Sequence, residues 1–527
     1  MGCGVLGILP EKGQPVVLEK VLTLLDSMKN RGDDGTGLLF LKGREKRFEK
    51  WAGNAQDIPE HTFDNLMNDE IARIPEIVIG HARYATKGKI VLENNHPVMA
   101  SKGSAMVALA MNGELSFTMR WGGEAKEKGI DLHKATNDAA HCAGKILSIY
   151  LEKKDIAETL KEFYAQAFPF GGFTFLGVLC DAGKKYFFYM RDGLRPLHFM
   201  KANGLLVFFS ETSHANCLGV QEISEIKAGE AGFIEPSSLN WSKIDMNREL
   251  KGTASRGLCP FEITYFQNYD SKIDGTTIDS VRREFGKALA REHPPKPGSI
   301  ISWVPKSGIS ATQGYFEEAL KNQGSIEFRQ VITRMPDSRA RGERSFLGYK
   351  SLSLHEKLSK KFKINAHDVK GEHVVVIDDS IVRGSVSQWI AKMLNAAKPK
   401  GLSFVAAWPP LIGECRAGID IDKEELIALN YFSAGEIVED QRKLEKKLGE
   451  CFACKKCKCK KLFDSVSYVG AGAVKEVFGK YLKGKVCTGC FEGDYSYIHR
   501  GNIERMPQWL KEFISENRVE LPEEVSL

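Results

Sequence analysis

Cys3 is the first residue in the chain with chemistry to offer. Alone, Cys3-Gly4-Val5-Leu6-Gly7-Ile8 reads as a buried strand. Its interest comes from four segments further along the chain. A Gly-rich turn runs Arg31-Gly32-Asp33-Asp34-Gly35, Arg83 stands after a buried run in Gly80-His81-Ala82-Arg83-Tyr84, Asn112-Gly113 stands after another, and Asp138 opens a helical stretch. Hydrolysing an amide takes a nucleophile, a base and donors for the oxyanion. A cysteine at a chain terminus brings two of these, because its α-amino group, with a pKa near ~8, serves as base. Arg83 suits a bidentate clamp on a carboxylate, Asp138 suits an ammonium group, and the Asn112 side chain with the Gly113 N–H suits an oxyanion. Taken singly, these residues have plainer roles as a surface ion pair, a turn and a helix cap. Their order, each after a strand-like stretch, favours the chemical set. Gly2 stands before Cys3, so a free amino group on Cys3 requires a cut beyond the loss of Met1.

A second constellation lies in the other half. The apolar run Val374-Val375-Val376-Ile377 ends in Asp378 and Asp379, and the loop Ser380-Ile381-Val382-Arg383-Gly384-Ser385 leads into a helix beginning near Val386. Ligands bind beyond the carboxyl ends of strands in open α/β sheets. The loop can turn backbone N–H groups toward a phosphate at the helix N-terminus, with Arg383 adding charge. The acidic pair can accept hydrogen bonds from sugar hydroxyls or orient Mg²⁺ through water. An isolated Asp-Asp is usually a solvated turn; strand, acidic pair, hydroxyl-bearing loop and helix together point to a phosphate-ester site.

The elements that must position these groups change character along the chain. Residues 1 to about 240 read as short strands with helices between them, at 17–28 and 138–153, which fits layered sheets and helices. Residues around 250–275 read as a connector. From about 276 helices alternate with continuous apolar strands: helices at 281–292 and 312–322, strands at 299–304 and 373–377. That rhythm predicts a parallel sheet covered on both faces. Residues 333–345, rich in Arg, Pro, Asp and Gly, read as a mobile loop.

Of the 12 cysteines, Cys142, Cys180 and Cys217 read as buried inert thiols, while six crowd between Cys451 and Cys490, which suggests metal or cluster ligation over disulfides. Cys451, Cys454, Cys457 and Cys459 fit a separate Zn²⁺ or Fe–S site, alternative ligands or a basic tail segment. A net charge of +6, from 74 basic and 68 acidic residues, is too mild for a nucleic-acid binder. No apolar run is long enough to span a membrane, and the start lacks a secretory signal, so a cytoplasmic protein with no nucleic-acid or membrane partner is expected.

The segment around Asp378 and Asp379 closely resembles the phosphoribosyl pyrophosphate (PRPP) motif of phosphoribosyltransferases, in the form found in glutamine PRPP amidotransferases. The N-terminal set resembles the N-terminal-nucleophile glutamine amidotransferases. Further matching segments, Arg191-Asp192-Gly193-Leu194-Arg195-Pro196-Leu197 and Phe261-Glu262-Ile263-Thr264-Tyr265-Phe266 among them, extend the resemblance from Cys3 to about Tyr495. It implies a four-layer αββα amidotransferase domain at 3–250, a linker at 251–275, a doubly wound type I phosphoribosyltransferase domain at 276–430, and a helical, Cys-rich region at 431–527. It implies that Cys3 is the nucleophile, Asn112 and Gly113 hold the oxyanion, and Arg83 and Asp138 bind glutamine. Asp378, Asp379, Ser380, Ile381, Val382, Arg383, Gly384, Ser385 and Arg344 would bind PRPP, with Mg²⁺ held through Ser307, Asp378 and Asp379. Cys259, Cys415, Cys487 and Cys490 match the subgroup that carries a [4Fe–4S] cluster, with Zn²⁺ as the rival ligand. The product would be 5-phosphoribosylamine, the first step of purine biosynthesis, with purine nucleotides as feedback inhibitors and a homotetramer as the common assembly. The sequence departs from the family at Lys306, where Asp is usual, at Ala139-Ala140, and at Ile332-Thr333-Arg334-Met335-Pro336, where a Lys-Asn-Arg-Tyr segment is usual. Those departures leave room for two other readings: a regulatory paralogue that binds PRPP or nucleotides without turnover, and a transferase with another amine or sugar phosphate.

Overall fold

A computed structural model describes residues 2–85, 91–116, 118–219, 222–250, 256–305, 307–335, 354–415, 418, 419, 421, 423–452, 461–484 and 486–493. The N-terminal half is built on two antiparallel sheets, of seven and six strands. Alternation along buried strands explains the layering. In Gly4–Pro10, Val5 and Leu9 face the core between the sheets, and Leu6 and Ile8 face the opposite core beneath the helix Leu18–Ser27. In Ala105–Leu115, Met106, Ala108 and Ala110 face the inter-sheet core, while Val107, Leu109 and Met111 pack under the helices Asp138–Lys153 and Ile156–Ala167. Strands buried on both faces lose the simple polar alternation of a one-sided sheet. The result is the four-layer αββα arrangement the resemblance implied.

The second half holds a five-stranded sheet in the order Glu327–Phe328, Ile300–Trp303, His373–Asp378, Gly401–Ala406, Ser465–Tyr468, with every pairing parallel. Ile301, Val375, Ile377 and Val405 face one core with the helices Ile278–Glu292, Gly308–Gln323 and Ala471–Tyr481. Ile300, Val374, Val376 and Phe404 face the other with Ser385–Ala396 and Gln441–Glu450. The sheet is therefore covered on both faces, as a doubly wound fold requires. The strand Ser465–Tyr468 falls in the region expected to be helical; its four residues are too few for periodicity to betray them. Cys142 is buried as expected and Cys180 half-buried, but Cys217 is exposed, because it sits in the 3₁₀ segment Thr212–Leu218 at the surface. Among the described residues, no helix is long and apolar enough to cross a membrane.

Candidate active sites

Cys3 immediately precedes the strand Gly4–Pro10, which pairs with Ile77–Arg83, the strand that carries Arg83. The Cys3 thiol lies 3.5 Å from the Tyr84 N–H and 3.8 Å from the Tyr84 carbonyl oxygen. Arg31, from the Gly-rich turn, donates from Nε to the Cys3 carbonyl at 2.9 Å. Burial pushes the thiol pKa up, opposed by the Tyr84 N–H and by the charges of Arg83 and Arg31. Arg83 is buried, donates to Asn95 Oδ1 at 3.0 Å, and lies within electrostatic reach of Cys3, Asp34 and Asp138.

The strand Ala105–Leu115 brings in Asn112 and Gly113. Asn112 is fully buried, yet neither its Oδ1 nor its Nδ2 has a hydrogen-bond partner among the described residues. An orphaned buried amide is costly unless something is to be bound there. Gly113 has φ 146°, and a β-carbon there would fall 2.1 Å from the Gly172 carbonyl, so only glycine fits. Asn137 caps the helix Asp138–Lys153, which releases Asp138 from the capping role. The Asp138 carboxylate instead accepts the Leu115 N–H at 3.0 Å.

Burial pushes Asp138 up to about 6. Stability and ligand binding then respond to pH in opposite directions. Without ligand, the folded chain holds this proton more tightly than the unfolded one, so Asp138 costs stability as pH rises from the ordinary carboxylate range through about 6. Binding an ammonium group needs the ionised form, so the KM for an amino-acid amide should climb as pH falls below about 6. Asp138→Asn should raise KM at neutral pH and flatten that limb of the profile. Steady-state kinetics across the mildly acidic to neutral range, compared with the parent chain, is the check; a limb surviving unchanged in the variant would exclude Asp138 as its origin.

In the other half, Asp378 closes the strand His373–Asp378, and Asp379 accepts the Ser380 N–H at 2.6 Å. Both carboxyls are buried and their pKa values are raised, first by desolvation; Asp378 is raised further by the charge of Asp379, while Asp379 is eased by bonding to Ser307 and by the charge of Arg282. Asp379 Oδ2 has no partner among the described residues. Two helix N-termini converge here, those of Gly308–Gln323 and Ser385–Ala396, the latter capped by Gly384 at φ 72°. Arg383 is turned out of this loop and pairs with Glu425 at 2.6 Å. Arg344 and Lys306 lie outside the described residues. Burial raises the Tyr265 hydroxyl, and the charges of Asp379, Tyr84 and Asp378 raise it further, so Tyr265 lies within electrostatic reach of both sites.

Four cysteines from distant segments meet in one core. Cys259, Cys487 and Cys490 are buried in it and Cys415 packs against it. The Cys487 N–H donates to the Leu258 carbonyl at 2.9 Å, and the Ile412 N–H to the Cys490 carbonyl at 2.9 Å. Burial pushes Cys259 to about 11 and Cys487 to about 12, and raises Cys490. All three are raised further by the neighbouring thiols, Cys415 included. Among the described residues, no group of three or more His, Cys, Asp or Glu side chains is arranged to hold a metal ion as it stands. Cys451 is half-buried; Cys454, Cys457 and Cys459 lie outside the described residues.

Comparison with models of known protein families finds no match. A curated relative, the amidophosphoribosyltransferase of Archaeoglobus fulgidus, is 30% identical over 474 residues, covering 86% of this chain and 96% of the relative. This chain belongs to the amidophosphoribosyltransferase family. The amidophosphoribosyltransferase of Bacillus subtilis is 26% identical over 502 residues and 94% of each chain. Solved structures share the fold. The B. subtilis glutamine PRPP amidotransferase complexed with ADP and GMP has a TM-score of 0.70 at 24% identity, over 95% of this chain and 98% of that one. An allosteric regulatory enzyme of purine biosynthesis has a TM-score of 0.71 at 23% identity, with the same coverage.

The structure brings in residues to which the sequence alone gives no role. Arg31 is visible in the Gly-rich turn, but nothing in its spacing reveals that its guanidinium reaches the Cys3 carbonyl. Asn95 sits beside Asn94 in an ordinary polar stretch that gives no signal of its bond to Arg83. Arg282, on the helix Ile278–Glu292, carries no signal in its spacing, and it is buried and donates to the carbonyls of Ile263 and Gln267 at 2.7 and 2.8 Å.

Proposed function

We propose that this amidophosphoribosyltransferase hydrolyses glutamine at Cys3 and passes the ammonia to PRPP at Asp378 and Asp379, giving 5-phosphoribosylamine, glutamate and pyrophosphate at the first step of purine biosynthesis. The observation that carries this reading is the pairing, in one chain, of a buried, unpartnered Asn112 beside a cysteine nucleophile with a buried acidic pair under two helix N-termini. The Cys3 sulfur attacks the side-chain amide carbon of glutamine, with the Cys3 α-amino group as base. The negative oxygen is received by Asn112 Nδ2 and the Gly113 N–H. Ammonia leaves as the thioester forms, and water then releases glutamate. Arg83 holds the α-carboxylate of the glutamine and Asp138 its α-ammonium group. This scheme requires removal of Met1 and Gly2, and Gly2 is seated in the site: a β-carbon there would come within 2.7 Å of Arg31 Nη2 and 3.4 Å of Asn112 Oδ1.

Ammonia then travels by an internal channel, as the family resemblance implies, and displaces pyrophosphate at C1 of PRPP. The ribose hydroxyls fall to Asp378 and Asp379, and the 5-phosphate to the backbone of residues 380–385 and the helix behind it. Asp379 Oδ2 and the raised pKa values of the pair suit a divalent cation, so Asp378, Asp379 and Ser307 would hold Mg²⁺. When bound, Mg²⁺ supplies charge neutralisation for the departing pyrophosphate. Arg383, paired with Glu425, serves the loop's outer face unless that pair opens. Two features cross the boundaries 3–250, 251–275, 276–430 and 431–527: the ribbon pairing Lys272–Ile273 with Thr276–Thr277, and the strand Ser465–Tyr468, which supports treating residues 461–484 as part of the transferase unit.

The four converging thiols support placement in the iron–sulfur subgroup, with Cys259, Cys415, Cys487 and Cys490 as ligands of a [4Fe–4S] cluster that ties linker, transferase and C-terminal segments together. Three buried thiols with raised pKa values, Cys259, Cys487 and Cys490, beside the half-buried Cys415 are a donor set such a cluster relieves, since it binds them as thiolates. Residues 332–336 mark a PRPP loop whose sequence departs from the family's usual one, and Lys306 a separate departure in the segment expected to serve pyrophosphate. Purine nucleotides are the expected feedback ligands, and a cytoplasmic homotetramer the expected assembly. One experiment tests the reading: protein purified without oxygen, assayed for iron, sulfide and N-terminal mass, then given PRPP and Mg²⁺ with glutamine or ammonia. Pyrophosphate release with both nitrogen sources is expected. Tight PRPP binding with no release from either would establish the regulatory paralogue instead.

A further inference from the structure

A buried ionic network joins the glutamine site to the linker, and its members are fully enclosed. Arg31 donates from Nη1 to Glu211 Oε1 at 2.8 Å and to Glu262 Oε2 at 3.0 Å, and from Nη2 to Glu262 Oε1 at 2.8 Å. Its third nitrogen, Nε, donates to the Cys3 carbonyl at 2.9 Å. The fork of one guanidinium is thus spent on a bidentate carboxylate and on the nucleophile's own backbone, a geometry that fixes both partners. Glu211 is fixed in turn by Asn30, the Asn268 N–H and Ser271. The charges balance as two guanidiniums, Arg31 and Arg195, against two carboxylates, Glu211 and Glu262, since burial lowers His214 to about 4 and leaves it neutral.

Glu262 belongs to the short π-helical turn Glu262–Phe266, and its N–H donates to the Cys259 carbonyl at 3.0 Å. Arg195 reaches Glu262 Oε1 at 3.5 Å and, from Nη2, the Gly418 carbonyl at 3.3 Å. Gly418 lies three residues beyond Cys415 and presses on the oxyanion turn: a β-carbon there would come within 2.8 Å of the Glu114 N. One cysteine segment therefore grips the nucleophile side of the glutamine site through Glu262 and Arg31. Another bears on the oxyanion side through Gly418.

We propose that Glu262 is a positioning residue for Cys3, and that Glu262 and Gly418 together make the geometry of the glutamine site depend on how the segments around Cys259 and Cys415 are held. The proposal rests on the amidotransferase reading above. It adds to that reading a specific route by which a perturbation at the thiol core is felt at the nucleophile, without contact between thiol core and substrate. Breaking one member of a buried charge network leaves its partner uncompensated, so the effect should be large for a residue that touches no substrate.

The test uses the full chain with Glu262→Gln, and with Gly418→Ala as a second approach from the oxyanion side. Three quantities are compared with the parent: kcat and KM for glutamine, the ratio of glutamine-dependent to ammonia-dependent product, and the rate at which a chloroketone analogue of glutamine alkylates Cys3. In both variants kcat for glutamine, the product ratio and the alkylation rate should each fall about tenfold or more, with KM for glutamine within about twofold. A product ratio that stays constant while both activities fall together would reduce Glu262 to a fold-maintaining role and overturn the proposal. So would a Gly418→Ala chain with normal glutamine turnover, even if Glu262→Gln cannot be purified. A parent chain inactive with both glutamine and ammonia would sink the functional reading itself. The alkylation rate then judges the relay alone, and an unchanged rate in Glu262→Gln overturns it.

Discussion

Cys3→Ala should abolish product formation from glutamine, by at least about a thousandfold, while ammonia still supports synthesis from PRPP. The split has a geometric origin. Cys3, Arg83, Asn112 and Asp138 are carried by the antiparallel sheets and the helix packed on them, whereas Asp378 and Asp379 end a strand of the separate parallel sheet. Removing one sulfur takes away the only covalent route to the thioester and leaves the second site with every group it needs. Alanine fits easily, since Cys3 is half-buried and its thiol makes only long contacts to Tyr84. The measurement is pyrophosphate release with saturating glutamine and, separately, with ammonium salt at alkaline pH, where free ammonia is abundant. Equal loss with both nitrogen sources would show that the two sites do not work as a donor and an acceptor.

The second large effect belongs to Asp379. Asp379→Asn should cut product formation about a hundredfold or more with either nitrogen source, because the buried charge that suits a cation and ribose is gone. The same change should make the ligand-free protein more resistant to heat at neutral pH. Both carboxyls have raised pKa values in the folded chain, so folding favours their protonated forms, and the pair costs stability as pH rises above the ordinary carboxylate range. Asn at 379 removes one of the two carboxyls held out of water. PRPP with Mg²⁺ should then stabilise the parent chain more than the variant. Thermal denaturation at mildly acidic and at neutral pH, with and without both ligands, reads all of this. A variant less stable than its parent at neutral pH would contradict the assignment of strain to the acidic pair.

Much of this architecture is legible in the residues themselves. The helix at 138–153 is read to its true limits from apolar residues recurring at helical spacing, but its cap is not: the structure puts Asn137 there, where the sequence suggests Asp138. The acidic pair and its loop are legible because a valine run can hardly be anything but a central parallel strand, and such a strand must end at a ligand-binding edge. Hidden from sequence are the contacts between residues far apart in the chain. Glu262 stands in a recognisable segment, but its bond to Arg31 spans 231 positions and answers to no periodicity. Nearness in sequence assigns Arg383 to the acidic pair, and the fold turns it to Glu425 instead. The strand Ser465–Tyr468 escapes notice because a four-residue edge strand lies below the length at which alternation carries information.

The meeting of Cys259, Cys415, Cys487 and Cys490 in one core also fixes an order of events during synthesis. The thiol at 259 emerges from the ribosome when the antiparallel half is complete, the thiol at 415 when most of the parallel sheet is, and the last pair only when nearly the whole chain has been made. No nascent fragment ending before residue 490 can assemble the full set. A ligand shared by all four thiols could therefore be taken up only after residue 490 has been made, late in synthesis, when both sheets are already in place.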